Sequence, residues 1–261
     1  MIYLYYKLIS VSFKSQMQHR ASFLMLTVAY FISTFVDIVG IWVLFDRFKI
    51  VKGWTLEELM LIYGIVHMGF AIAEGFTRGF DKFSQMVKNG DFDRILLRPL
   101  GTLFQVATRD IQIMRVGRFL QGSVVLIWGF LKLKLSLFPF NIFIILLSII
   151  GTATLFCGLF ILQATLSFWT TETLEIMNIT TYGGVEAGQY PISIYKKAFR
   201  LFFIFIVPIA CVGYYPISIM LKHETFSIWV GLIFPLAGIV FLYLSCKLWK
   251  FGVRHYHSTG S

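Results

Sequence analysis

The sequence alternates long apolar stretches with shorter polar ones. A helix needs roughly 20 apolar residues to cross a membrane, and six stretches meet or approach that length: residues 21–45, 59–76, 112–131, 142–169, 201–221 and 228–249. This pattern predicts an all-α membrane protein with six transmembrane helices. We expect residues 1–261 to form a single transmembrane domain.

The segment before the first apolar stretch has an amphipathic pattern. Leu4, Leu8 and Val11 recur at helical spacing, and Lys14 lies away from their face. A helix of this kind lies in the plane of the membrane interface rather than across it. We therefore predict an interfacial helix over residues 1–20, with a disordered tail as the alternative.

Local signals refine three of the apolar stretches. Residues 55–58, Thr-Leu-Glu-Glu, match a capping box and predict the start of the second helix. Gly151 and Gly158 lie two turns apart on nearly one face, where they permit close helix packing. Pro208 and Pro216 both fall in the fifth stretch and predict a kinked or broken helix.

The stretch between the second and third apolar segments is polar and basic. It cannot cross a bilayer, because hydrocarbon does not accommodate this many charges. Its basic residues are Arg78, Lys82, Lys88, Arg94, Arg98, Arg109, Arg115 and Arg118. If six helices cross, this stretch and both termini share one side, which also holds most of the remaining Lys and Arg residues. The positive-inside rule then places both termini in the cytoplasm.

Composition excludes a soluble domain. Hydrophobic residues make up 57% of the chain and charged residues only 14%, against about 25% charged residues in soluble domains. The net charge of +10 comes from residues that flank apolar stretches, so we expect no nucleic-acid partner. The three cysteines lie within apolar stretches without metal-ligand spacing.

The sequence carries few candidate catalytic groups. Residues 183–190 have the spacing of a phosphate-binding loop, but Gln189 occupies the position of the required lysine. We therefore predict no ATPase site, and no other enzymatic site, on this chain. Asp37 lies inside the first apolar stretch, where a carboxylate is costly. It either lines a substrate path or packs against a polar neighbour.

The basic stretch contains a candidate docking element. Acidic and basic residues alternate there with apolar ones, and a proline ends the helical turn. The residues are Asp91, Phe92, Asp93, Arg94, Arg98 and Pro99. Such a helix presents itself to a soluble partner, or it is simply a solvated amphipathic loop.

The same element carries a family resemblance. Gly90 to Leu100, GDFDRILLRPL, resembles the signature of permease subunits of ABC-2 type ATP-binding cassette exporters. Weaker likenesses follow in the same order along nearly the whole chain, at Gly53-Trp54-Thr55, Tyr190-Pro191, Val207-Pro208 and Tyr214-Tyr215-Pro216.

The resemblance implies the ABC-2 exporter fold, with six helices and cytoplasmic termini, in a multi-pass protein of a bacterial plasma membrane. It further implies a dimer with itself or a sibling permease, surrounded by membrane lipids and driven by separate ATPase subunits that bind ATP and magnesium. This chain would bind no cofactor. A coupling helix within residues 77–111 would dock on the ATPase.

Substrate would then pass between two permeases, along the first, second and fifth spans. Asp37, Tyr214 and Tyr215 are the candidate path residues. The alternative function is a stand-alone ion-coupled transporter, in which Asp37 and Glu74, with His67, bind protons or cations. The two hypotheses differ in whether an ATPase partner is required.

Overall fold

The computed structural model describes residues 2–136, 138–170 and 175–256. Within these ranges the chain is helical and contains no strand beyond an isolated bridge between Val51 and Trp54. The helices are α1 (Ile2–Gln18), α2 (Arg20–Phe48), α3 (Leu56–Thr77), α4 (Phe83–Lys88), α5 (Asp91–Leu96), α6 (Thr102–Ala107), α7 (Val116–Lys132), α8 (Pro139–Thr170), α9 (Glu175–Gly188), α10 (Lys197–Leu201), α11 (Tyr215–Met220), α12 (Ile228–Ile233) and α13 (Leu236–Arg254). Short 3-10 turns occupy Arg78–Phe80, Ile113–Arg115 and Ile192–Ile194, and π-helical turns occupy Phe202–Ile206 and Ala210–Tyr214.

Several of these helices are long and apolar enough to cross a membrane. Among the described residues, four helical stretches qualify: Arg20–Phe48, Leu56–Lys88, Pro139–Thr170 and Ile228–Arg254. A fifth candidate is the bent pair Lys197–Ile206 and Ala210–Met220. The predicted all-helical membrane protein is thereby confirmed. The predicted third span corresponds to α7, which has 17 residues and a length of only about 26 Å.

Helix α3 forms the centre of the protein. It starts at the predicted capping box, where the Glu58 amide donates to Thr55 Oγ1 and the Thr55 amide donates to the Glu58 carboxylate. Nearly all of its length is buried, because α7 and α8 pack on either side of it. Gly64 admits the backbone of α7, since a Cβ there would lie 2.8 Å from the Gly122 carbonyl oxygen.

Glycines also bring α8 and α13 into close contact. A Cβ on Gly151 would lie 2.5 Å from the Pro235 carbonyl oxygen, and one on Gly238 would lie 2.0 Å from the Gly151 carbonyl oxygen. A Cβ on Gly158 would lie 2.8 Å from the Phe241 ring. The packing role predicted for Gly151 and Gly158 is confirmed.

The predicted fifth span is broken, as its prolines indicate. The helix pair on either side of Pro208 is bent by 82°. Next to the bend, Ile209 meets Gly184 and Gly188 of α9. His223, shortly after the pair, forms a hydrogen bond of 3.0 Å with Glu58 at the start of α3.

The segment that leads into the bent pair lies near the same end of α3. Tyr190 packs in a cluster with Val51 and Leu56. Tyr195 then donates to the Ala187 carbonyl at 3.0 Å and packs on Phe199. The chain on both sides of the bent pair therefore lies toward the start of α3. The pair, from Lys197 to Met220, is called the hairpin below.

We expect Gly238→Ala to destabilise the protein strongly. Its methyl group meets backbone rather than a flexible side chain, so α8 and α13 must separate, and overpacking of this kind costs roughly 1–3 kcal/mol or more. The thermal unfolding midpoint in detergent measures the loss. Gly40→Ala is the control, because a Cβ there meets nothing within 4 Å. Equal midpoints for the two variants would contradict the packing.

Candidate functional site

The predicted docking helix, α5, has one buried face and one exposed face. Phe92 is fully buried and Ile95 nearly so, whereas Leu97, just after the helix, is 87% exposed. The Arg94 side chain, one turn before Leu97, is 82% exposed. The element therefore presents a basic and apolar tip to its surroundings.

The buried face of α5 is anchored by aromatic side chains. The Phe92 ring makes edge contacts with Phe83 at 5.0 Å and Phe168 at 5.5 Å, and packs edge-on against Tyr256 at 4.9 Å. Trp249 contacts the same rings. Because these residues come from α4, the end of α8 and the end of α13, the basic loop is joined firmly to the helix ends.

Polar contacts fix the rest of the loop. Gln105 on α6 donates to the Ile95 and Leu100 carbonyls, at 3.0 and 2.8 Å. The Asp91 carboxylate binds Arg109 at 2.9 Å and approaches Arg94 at 3.9 Å. The turn after α5 is thus held in place from α6.

A buried ion cluster lies beside this loop, at the end of α3. Glu74 has no exposed surface and forms ion pairs with three guanidinium groups. Arg115 and Arg118 each lie 3.2 Å from its Oε2 atom, and Arg78 lies 3.5 Å from Oε1. Tyr182 of α9 donates to the same carboxylate at 3.4 Å.

The arginines of this cluster also contact other helices. Arg115 stacks over the Tyr30 ring of α2 at 4.1 Å, and Arg118 over the Phe70 ring of α3 at 5.0 Å. Arg78 also forms an ion pair with the Asp81 carboxylate. The cluster therefore connects α2, α3, α7 and α9 at one level.

A chain of polar groups continues from the cluster along α3. His67 stacks on Tyr63 at 3.9 Å and bonds through Nε2 to Gln189 at 3.0 Å. Gln189 in turn donates to Glu186 at 2.8 Å. Gln121 of α7 donates to the Tyr63 hydroxyl at 3.1 Å.

Asp37 lies at the edge of this polar region. It is half-buried on α2, and its charge acts on that of Glu186, which is exposed on α9. Tyr63 bonds to the backbone of α2 through the Thr34 carbonyl, at 2.8 Å. Two carboxylates from different helices thus lie within range of each other's charge.

A family comparison decides the class of protein. The family described as "ABC-2 family transporter protein" matches residues 31–260, which is most of the chain. The chain belongs to the ABC-2 transporter family. Comparison with curated proteins and with solved structures gives no match. The predicted resemblance is confirmed, and the matched range includes both the basic loop and the buried ion cluster of this ABC-2 protein.

The ABC-2 protein distributes its predicted docking residues over two environments. Arg94, Arg98 and Pro99 are exposed, Asp91 and Asp93 are partly exposed, and Phe92 lies in the core. The docking residues predicted from the sequence do not include Leu97, which lies two residues after the buried Ile95 and so points away from it.

The predicted path residues of the ABC-2 protein do not come together. Tyr214 packs on Trp54 at 5.4 Å, and Tyr215 stacks on Phe234 at 4.8 Å. Among the described residues, no contact joins either tyrosine to Asp37. The sequence analysis did not name Glu186, the carboxylate near Asp37, as a site residue. The position of Glu186 on a glycine-rich helix in a polar region was the signal that could have identified it.

We expect Glu74→Gln to unfold a large fraction of the ABC-2 protein. The change removes the one charge that three buried or half-buried guanidinium groups share, and breaking a buried ion pair costs about 3–5 kcal/mol. Thermal unfolding in detergent measures the effect. Asp46→Asn is the control, because Asp46 forms an exposed ion pair with Lys49. An unchanged unfolding midpoint in Glu74→Gln would contradict a structural role for the cluster.

Proposed function

We propose that the protein is the permease subunit of an ATP-driven ABC-2 exporter, worked by separate ATPase subunits. The supporting observation is the basic loop, which exposes an apolar tip from an anchored base. A docking element must bind a partner and also transmit its movement, so it needs both properties.

The exposed tip fits a groove on a soluble partner. Leu97 is largely exposed, and the basic side chains of Arg94 and Arg98 lie on either side of it. Arginine is among the residues that dominate the binding energy of protein interfaces, and Leu97 adds exposed apolar surface between the two arginines. We assign ATPase docking to this tip, with Pro99 ending the element.

The base of the loop leads to the helices that would move. Phe92 joins it to the ends of α8 and α13, and the Glu74 cluster connects α3 to α7 and α9. Packed elements of this kind move as units between discrete arrangements. ATP binding on the partner would shift the permease by stabilising one arrangement over the other.

Six crossings with both termini in the cytoplasm are consistent with the contacts. The fifth crossing in this proposal is α9 with the residues up to Tyr190, because α9 runs along α3 from Glu74 to His67. The hairpin from Lys197 to Met220 then enters the membrane and returns to the same side. The proposal thus moves the fifth span from residues 201–221 to α9.

The substrate path follows from the same arrangement. Two permeases, identical or siblings, would face each other across the surface that carries Asp37 and Glu186, in a bacterial plasma membrane. ATP and magnesium would bind on the ATPase. The chain itself would bind no cofactor and catalyse no reaction.

The alternative, a stand-alone ion-coupled transporter, gains no support from Glu74. An ion-coupling carboxylate must release its partner in each cycle, whereas Glu74 is held by three guanidinium groups and a tyrosine. Asp37 and His67 are the remaining candidates for such a role. The ATPase proposal needs neither residue to titrate.

We expect Leu97→Asp to abolish co-purification of an ATPase subunit while the permease still inserts and folds. A charge at the tip cannot enter an apolar groove without losing its hydration. Gentle purification from the native membrane, followed by mass spectrometry, measures the partner. Lys134→Asp, at the far end of α7, is the control. A wild-type protein that purifies alone and stable would contradict the ATPase proposal.

We expect residues on both sides of the hairpin to be reached from outside the cell. In a variant without Cys157, Cys211 and Cys246, a cysteine at position 197 or 222 should react with an impermeant thiol reagent on intact cells. A cysteine at position 88 should react only after permeabilisation. Labelling of 197 and 222 from opposite sides would restore a straight fifth span.

A further inference from the structure

A basic cavity lies between α1 and the loop that carries the docking helix. It has a volume of about 440 Å³, within the usual range for ligand sites. Leu8 of α1 forms one wall, and three arginines, Arg94, Arg98 and Arg109, line it from the loop side. Asp91 is the acidic residue in the lining.

The charges in this cavity do not balance. Asp91 binds Arg109 at 2.9 Å and approaches Arg94 at 3.9 Å. Arg98 forms no ion pair with any residue that the structure describes. One carboxylate therefore faces three guanidinium groups, and the excess positive charge favours an anion. Guanidinium groups match phosphate oxygens especially well, because they donate two parallel hydrogen bonds.

A second cavity, of about 480 Å³, is also lined by residues of α1 and is apolar. Its charged lining residue, Arg115, already pairs with Glu74. The other walls are formed mainly by aliphatic and aromatic side chains of α1, α3 and α7. Its apolar lining includes Ile9, Phe13, Ile72, Phe76, Ile111 and Phe119.

The linings of the two cavities have no residue in common, but they include residues that are close neighbours along the chain. On α1, Leu8 lines the basic cavity and Ile9 lines the apolar cavity. On the loop, Arg109 lines the basic cavity and Ile111 lines the apolar cavity. Helix α1 is tied to this dividing segment, because Ser12 and Gln16 donate to the Ile111 carbonyl at 3.1 and 2.6 Å. A basic cavity and an apolar cavity are thus lined by neighbouring residues of α1 and of the loop.

We propose that these cavities bind one anionic phospholipid of the leaflet that faces the ATPase. The phosphate lies among Arg94, Arg98 and Arg109, and an acyl chain fills the apolar cavity. Basic pockets on the cytoplasmic side of membrane proteins recognise such head groups. The assignment to this leaflet rests on the proposed orientation, whereas the binding itself does not.

The cavity favours a lipid over the ATPase as its occupant. Leu97, the apolar residue of the docking tip, lines neither cavity, whereas Arg94 and Arg98 flank it and also line the basic cavity. Helix α1, which walls both cavities, is the element predicted to lie in the membrane interface. A lipid in this position joins α1 to the coupling loop, and it can therefore affect how firmly the loop is held.

Native mass spectrometry of the full chain in detergent tests the proposal without any ATPase. The probes are phosphatidylglycerol, phosphatidylcholine of equal chain length, and inorganic phosphate. We expect one tightly held phosphatidylglycerol per chain and weaker phosphatidylcholine. Arg98→Gln with Arg109→Gln should weaken phosphatidylglycerol binding about tenfold or more, because charged hydrogen bonds are lost. Lys132→Gln with Lys134→Gln is the charge-matched control at the far end of α7.

A second variant tests the apolar cavity. Ile9→Gln should weaken lipid binding and leave the binding of inorganic phosphate unchanged. Unchanged lipid binding in the arginine variant, or equal binding of the two lipids, would overturn the proposal. Phosphate that binds as tightly as the lipid would identify a simple anion site instead. Displacement of the lipid by the ATPase in the assembled complex would assign the cavity to that partner. Failure of ATPase docking alone would leave the lipid result unaffected.

Discussion

The arrangement of the helices depends on one buried carboxylate. Glu74 is sealed from solvent, and a carboxylate in such a position is tolerated only when cations and hydrogen-bond donors surround it. Those donors come from the end of α3, the start of α7 and the middle of α9. The need to neutralise one charge therefore fixes where three helices meet. Arg115, stacked on Tyr30, extends this constraint to α2.

The ion cluster and the close backbone contacts act together. The cluster sets the level of the helices along α3, and the glycines set their separation. Gly117 of α7 illustrates the combination, because a Cβ there would lie 2.1 Å from the Thr27 carbonyl oxygen of α2. Without that approach, Arg115 could not reach the Tyr30 ring from the turn before α7. Small residues at helix contacts thus permit polar contacts nearby, as is common among membrane helices.

Sequence reasoning recovered the features that depend on local signals. The capping box at Thr55, the break near Pro208 and the packing glycines of α8 all follow from short patterns, because each reflects steric or hydrogen-bonding limits of a few residues. The Glu74 cluster was not accessible in this way, since its partners Arg115 and Arg118 are distant in the chain. Hydropathy also could not distinguish a straight span at 201–221 from a hairpin, because both bury the same apolar residues. Phe92 shows the same limit at the candidate site, where its burial depends on Phe168 and Trp249.

Residues only a few positions apart in the basic loop face opposite directions and have different roles. Phe92 and Ile95 point into the protein, so their packing determines how rigidly the element is held. Leu97 and its neighbouring arginines point outward, so their chemistry determines what the element binds. Only about one turn separates the buried anchor residues from the exposed tip. A force applied at Leu97 would therefore reach the ends of α8 and α13 without crossing a flexible segment. In the proposed exporter it would pass from those ends to α3 through close helix packing, and to α9 through Tyr182 and Glu74. Asp37 and Glu186 lie on α2 and α9, two of the helices that the Glu74 cluster holds, so in the proposed exporter a shift of the cluster would displace both carboxylates.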